Sequence, residues 1–217
     1  MFKGFSQATV DFMWGIRLNN DKAWFEAHKE DYKEHFQNPM KELAREAYEL
    51  LSAESKERSF VHKVSRIYKD ARRVRGGGMY RDHLWFSIER PSGDWVSTPV
   101  FWFELNPDTW SYGLGYYAAK AETMTRFRER IDDAPDRFED FIRPLEAQSE
   151  FVLDGPEYAR KKPAPTPASA PWYNKKSLSL IHTQKSGDEI FSRGLLDRVA
   201  AGFRFLMPYY DYFTALE

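Results

Sequence analysis

The sequence predicts an α+β fold, with helices first, then an antiparallel sheet, then helices again. Three observations carry this. Apolar residues recur at helical spacing through the first third. The period drops to two between His83 and Tyr116, and helical spacing returns after Lys120. At 217 residues the chain is long enough for a substantial core, and it is read as one α+β domain over residues 1–217.

The first helix is expected to run from a Ser6 cap to about Leu18, with Val10, Met13, Trp14 and Ile16 on its apolar side. Asn19 and Asn20 end it and start a second. There Phe25, Lys29, Tyr32 and Phe36 share a face, with Trp24 and His28 beside them. Asn38-Pro39 suits a new helix start, because proline at the first helical position loses no needed hydrogen bond. Met40, Leu43, Ala47, Leu50 and Leu51 follow at helical spacing.

Three alternating stretches then read as strands: His83–Glu89, Val100–Leu105 and Trp110–Tyr116. The turns between them, at Pro91–Asp94 and Asn106–Asp108, are short, which favours antiparallel pairing. Pro99 marks an edge or irregular strand start. Met124, Phe127 and Ile131 define the next helix. Asp133-Ala-Pro135 opens another, with Phe138, Phe141, Ile142 and Leu145 on it and Pro144 expected to bend or end it. Short strands are expected at Glu150–Leu153 and Lys176–His182, with a proline-rich loop from Lys161 to Pro171 between them. A last helix starts near Asp188, carries Leu196, Val199, Phe203 and Leu206, and is interrupted at Pro208.

The hydrophobic fraction of 42% and aromatic fraction of 17% exclude a disordered chain. No apolar run reaches the about 18 residues of a membrane span, so no membrane partner is expected. The absence of Cys excludes disulfides, thiolate zinc sites and a Cys nucleophile. Residues 1–6 lack the apolar core of a signal peptide, and a cytoplasmic location is expected. The five His form no His-x-x-x-His pair, there is no Gly-x-Ser-x-Gly elbow, and no metal or cofactor is implied. Nothing singles out a catalytic residue.

The net charge is -1, yet Lys63–Asp82 holds seven Lys/Arg against two Asp. That segment therefore carries +5 and the remainder -6. Such a basic island is the best ligand signal in the chain. Arginine offers a planar fork of donors suited to phosphate or carboxylate. In an extended chain Arg66, Tyr68, Asp70 and Arg72 share a parity, with Lys69 and Arg73 opposite. Arg66 and Arg72 are thus candidate anion ligands oriented by Asp70, with Lys69 beside them and Tyr80 and Arg81 arriving from across the glycines. The bland alternative is a solvated strand paired with acids such as Glu42, Glu46 and Glu49.

Gly76-Gly77-Gly78 reads as a hairpin tip, a backbone cradle for phosphate or a lid. Asn19, Asn20, Trp24 and Lys29 are either pocket residues or helix caps and core. Trp85, Trp102, Trp110, Tyr112 and Tyr116 are either core or rings for stacking bases. The low net charge makes a nucleic-acid partner the weaker expectation. A protein module pairing with an acidic partner stands between that and a small anionic ligand.

One family resemblance emerges. Leu18–Lys29, with Tyr32 and Pro39, resembles the opening of a mainly bacterial family of unknown function, the domain-of-unknown-function 2461 family. That family's pattern is Arg-x-x-Arg-Asp-x-Arg-Phe-x-x-x-Lys-x-x-Tyr. Arg66, Asp70, Arg72 and Tyr80 match it, and Lys69 keeps the charge. Arg73 replaces the family's Phe and Gly77 its Lys, so any role that Lys plays is altered here. The likeness extends through Trp110–Tyr117, Phe151–Gly155 and Leu206–Pro208. It implies a shared fold and supplies no activity.

Overall fold

The computed structural model describes residues 1–70, 78–94 and 96–217. Six strands form one antiparallel sheet in the order β1-β2-β3-β4-β6-β5. They are β1 (Val61–Val64), β2 (Leu84–Glu89), β3 (Pro99–Leu105), β4 (Thr109–Tyr116), β5 (Val152–Asp154) and β6 (Ser179–Lys185). Eight α-helical stretches are described: α1 (Gln7–Leu18), α2 (Lys22–Ala27), α3 (Lys29–Asp31), α4 (Asn38–Glu54), α5 (Ala121–Asp133), α6 (Pro135–Glu146), α7 (Ala170–Tyr173) and α8 (Gly194–Thr214). The fold is α+β. The three alternating stretches are β2, β3 and β4, and Pro99 opens β3.

Two compact units are formed. One is Met1–Arg90, Trp102–Tyr112 and Thr183–Arg204, and the other is Pro91–Phe101, Gly113–His182 and Phe205–Glu217. In the first, α4 packs on β1 and β2. Phe86, Phe103, Trp110, Tyr112 and Phe203 fill its centre with stacked and edge-on rings. In the second, Phe127 and Phe138 meet edge to face, and Trp172 packs on Phe138. Tyr116 closes this core by donating from its buried hydroxyl to Phe213 O at 2.8 Å.

Ser6 caps α1 as expected, and Thr9 returns a hydrogen bond to it. The buried side of α1 is Thr9, Phe12, Met13 and Ile16, whereas Trp14 is exposed beneath the Arg17 guanidinium. Asn19 ends α1, but Asp21 rather than Asn20 starts α2. The expected second helix is broken after Ala27 and then winds as a π-helix over Tyr32–Gln37. That register brings Gln37 Nε2 to Tyr32 Oη at 3.1 Å. Helix α4 starts at Asn38 with Pro39 in its first turn, as expected, and follows directly on the π-helix.

Pro144 and Pro208 both lie inside helices, the first two residues from its end. Beyond Pro208 the helix holds because Tyr209, Tyr210 and Phe213 are buried. Their burial outweighs the about 3 kcal/mol a proline removes. Trp110, Tyr112 and Tyr116 are buried too, which removes them as a base-stacking surface. Gly113 lets β6 approach: a Cβ there would lie 2.0 Å from Leu180 O.

Candidate functional site

The basic island folds back on itself as a short two-stranded arm. Tyr68 and Tyr80 pair as an antiparallel bridge. Lys69 N donates to Met79 O at 2.9 Å, and Arg81 N donates to Ile67 O at 2.7 Å. Ile67 and Tyr80 turn inward, at 1% and 2% exposure. Arg66, Tyr68 and Lys69 are exposed, and Tyr68, as the bridge partner of Tyr80, lies on the same side of the arm with its ring 5.3 Å from that of Tyr80. Tyr80 therefore arrives opposite residues 66–70 as expected, but its ring is buried rather than presented to a ligand. Arg72, Arg73, Gly76 and Gly77 lie outside the described residues.

Asn20 fastens the arm to the rest of its unit. Its Nδ2 donates to Tyr80 O at 2.9 Å, and its Oδ1 accepts from Tyr80 N at 2.9 Å. One side-chain amide thus replaces a neighbouring strand. Gly78 makes this possible, because a Cβ there would lie 1.8 Å from Asn20 Oδ1. Asn20 can reach out because its neighbours manage the helix ends. Asn19 Nδ2 donates back to Gly15 O at 3.0 Å, and Asp21 accepts from Trp24 N at 2.9 Å.

Under the arm lies an aromatic floor. Phe25 stacks on Tyr80 with ring centroids 4.2 Å apart. It meets Tyr68 edge to face at 5.7 Å and Tyr32 at 5.6 Å. Burial pushes the Tyr32 phenol up to about 12. It also raises Tyr80, aided by nearby Tyr68 and Glu26. Tyr68 is half-exposed, at 50%, and is the ring of this floor that solvent reaches most.

The expected pocket set divides. Asn20 serves the arm, and Lys29 stands near Tyr68 and Tyr80 while pairing with Glu26 at 3.1 Å. The hydrogen bond to Glu26 raises the Lys29 ammonium above its ordinary value. Asn19 is used at the helix end, and Trp24 stacks on His28 at 4.0 Å. Asn19 thus serves a helix end, and Trp24 is a half-buried ring.

The cations divide as well. Arg81 is a strut: its Nη1 donates to Arg66 O at 2.6 Å and to Tyr68 O at 2.8 Å. Arg17 bridges Asp82 at 2.5 Å and Asp108 at 2.6 Å, which raises its guanidinium. Asp82 also accepts from His83 at 3.0 Å, and that bond, with Arg17, holds its carboxyl far below the usual range. Arg66 and Lys69 have no ion-pair partner among the described residues. The acids expected as partners for a solvated basic strand are taken elsewhere. Glu42 meets the N-terminal ammonium at 3.4 Å, Glu46 meets Arg193 at 2.8 Å, and Glu49 meets Arg45 at 2.7 Å. Asp70 is half-buried at the end of the arm.

Sequence reading missed the Asn20 clasp and the Arg17–Asp82–Asp108 bridge. Both join residues about 60 or more positions apart, and no local pattern encodes them. Among the described residues no group of three His, Cys, Asp or Glu is placed to hold a metal ion. No helix there is long and apolar enough to cross a membrane.

Residues 8–212 match the model of a family described as conserved hypothetical protein (DUF2461). No curated protein matches the chain.

Proposed function

The chain belongs to the DUF2461 family, and we propose that it binds a small anionic ligand, through a phosphate or carboxylate group, at the exposed cations of the basic arm. The observation that carries this reading is the pair of exposed cations, Arg66 and Lys69, with no carboxylate partner among the described residues. Elsewhere in the same unit Arg17, Arg45, Arg193, Arg198 and Arg204 all have acidic partners. A guanidinium left unneutralised on a braced backbone is suited to receive an incoming oxyanion.

The bracing supports the same reading. Asn20, Arg81 and the Phe25–Tyr80 stack fix the backbone that carries Arg66, Tyr68 and Lys69. A site held in place loses little entropy on binding. Tyr68 adds a half-exposed ring and a hydroxyl. A Cys-free chain is suited to the cytoplasm, where phosphorylated and carboxylated metabolites are abundant.

Isothermal titration with inorganic phosphate and with citrate tests the proposal. Two exposed charge contacts at about 0.7 kcal/mol each make the Arg66→Ala/Lys69→Ala variant bind about tenfold more weakly. Binding should also weaken as salt rises. A double variant that titrates like the parent with both anions would refute the site.

A further inference from the structure

A second set of cations gathers in the unit that contains α5. Arg128, on α5, is only 7% exposed. Its Nη2 donates to Thr125 Oγ1 at 3.0 Å, one turn back. Its Cζ lies 5.4 Å from the centroid of the Tyr158 ring. Among the described residues Nη1 has no hydrogen-bond partner, although it is shut off from solvent. No carboxylate there pairs with this guanidinium. Asp132, one turn further on, accepts from Tyr173 Oη at 2.9 Å instead.

Lys176 brings a second positive charge to the same ring, its Nζ 5.7 Å from the centroid. It has no ion pair among the described residues. Glu157, next to Tyr158 in the chain, is already divided: it meets Lys175 at 3.2 Å and Lys161 at 3.3 Å. Two cations thus share one aromatic ring without a counter-ion. A buried guanidinium in that state is strongly unfavourable, and a buried donor left unmade calls for a partner.

The backbone around it is braced in the manner of the first arm. Glu157 and Lys175 form an antiparallel bridge, and Lys176 N donates to Pro156 O at 2.7 Å. Asn174 clasps Lys162, accepting from its N at 2.8 Å and donating to its O at 3.2 Å. This repeats what Asn20 does for Tyr80. The Tyr158 ring is half-buried: its backbone N is tied to Asn174 O, while its hydroxyl has no hydrogen-bond partner among the described residues.

We propose that Arg128 and Lys176 form a second oxyanion site, in which a phosphate or carboxylate group of a small molecule takes the open Nη1 of Arg128 as the Tyr158 ring swings aside. The site rests on residues other than those of the basic arm, and it stands or falls without it.

The test is a reversal of stability order, measured by thermal unfolding in the Arg66→Ala/Lys69→Ala background so that the first site does not contribute. In Tris-chloride buffer, Arg128→Met should melt at or above the Arg128 protein, since it removes an unpaired buried charge. In inorganic phosphate or malonate at 100 times its dissociation constant, the Arg128 protein should gain about 5–10 °C and Arg128→Met should gain nothing. A response to phosphate alone or to malonate alone assigns the group; either supports the site. Lys176→Met alters an exposed residue that should not disturb folding, and it should weaken the responding anion at least about threefold. An Arg128→Met protein that melts lower in every buffer would make Arg128 a packing residue and overturn the proposal. No response to either anion, or an unchanged response in Lys176→Met, would overturn it too.

Discussion

Gly78→Ala should loosen the basic arm, and the structure gives the size of the effect. The added Cβ would lie 1.8 Å from Asn20 Oδ1, 1.9 Å from its Cγ and 2.2 Å from its Cβ. All three atoms belong to one side chain, so Asn20 must leave. Its departure breaks both hydrogen bonds to the Tyr80 backbone, each 2.9 Å long. A buried amide bond contributes about 1 kcal/mol net, and a buried group left unpaired costs about 1–3 kcal/mol. The expected loss is therefore about 2–4 kcal/mol, or about 4–16 °C in thermal midpoint for a chain of this size. Asn20→Gly should lose a similar amount, because the same two bonds disappear. The decisive assay is the double-mutant cycle by thermal or urea unfolding. In the Asn20→Gly background the Cβ at position 78 has room, and Gly78→Ala should add less than about 0.5 kcal/mol. If Gly78→Ala costs as much in that background as it does with Asn20 in place, the glycine is not there for the clasp and the reasoning fails.

Three further outcomes are expected. The Tyr32 phenol is raised from 10.0 to about 12, so the folded state holds its proton more tightly than the unfolded state does. That stability, about 3 kcal/mol, is complete below pH 10 and lost between pH 10 and 12, and Tyr32→Phe should flatten this part of a pH-dependent urea series. Asp82 is depressed below its ordinary 3.8, so its contribution is complete above that value and fades as pH falls through the lower folded one. Asp82→Asn should therefore destabilise by about 1–2 kcal/mol at pH 7, with the difference from the parent shrinking in acid. Gly113→Ala should cost about 1–3 kcal/mol in urea unfolding, since the new methyl would sit 2.0 Å from the Leu180 carbonyl oxygen.

Much of the fold was legible because its signals are local. Leu84, Phe86 and Ile88 alternate with period two and form β2. Met124, Phe127 and Ile131 recur at helical spacing and form α5. Where tertiary contacts decide, local pattern misleads. The short β1 has half-buried and exposed residues only, which leaves no strong alternation to read, and it exists through its pairing with β2. Pro208 looks like a helix breaker until the buried Tyr209, Tyr210 and Phe213 beyond it are counted.

The candidate site was legible in composition and not in geometry. The density of Arg and Lys marked the arm, and the family pattern singled out Arg66, Asp70 and Tyr80. Neither could say that Tyr80 is floor, that Arg81 is strut or that Asn20 is clasp, because those roles rest on contacts with residues far along the chain. The proposed Arg128 site left no comparable mark. Arg128 is one charge on a polar helix, and only its burial beside Tyr158 distinguishes it.

The most direct test of the central claim is arginine side-chain NMR during a titration with inorganic phosphate. The Nε–H signal of Arg66 should move saturably with phosphate, while that of Arg45, engaged by Glu49 at 2.7 Å, stays in place. An Arg66 signal that does not move, or that drifts in step with Arg45 as ionic strength rises, would contradict the account.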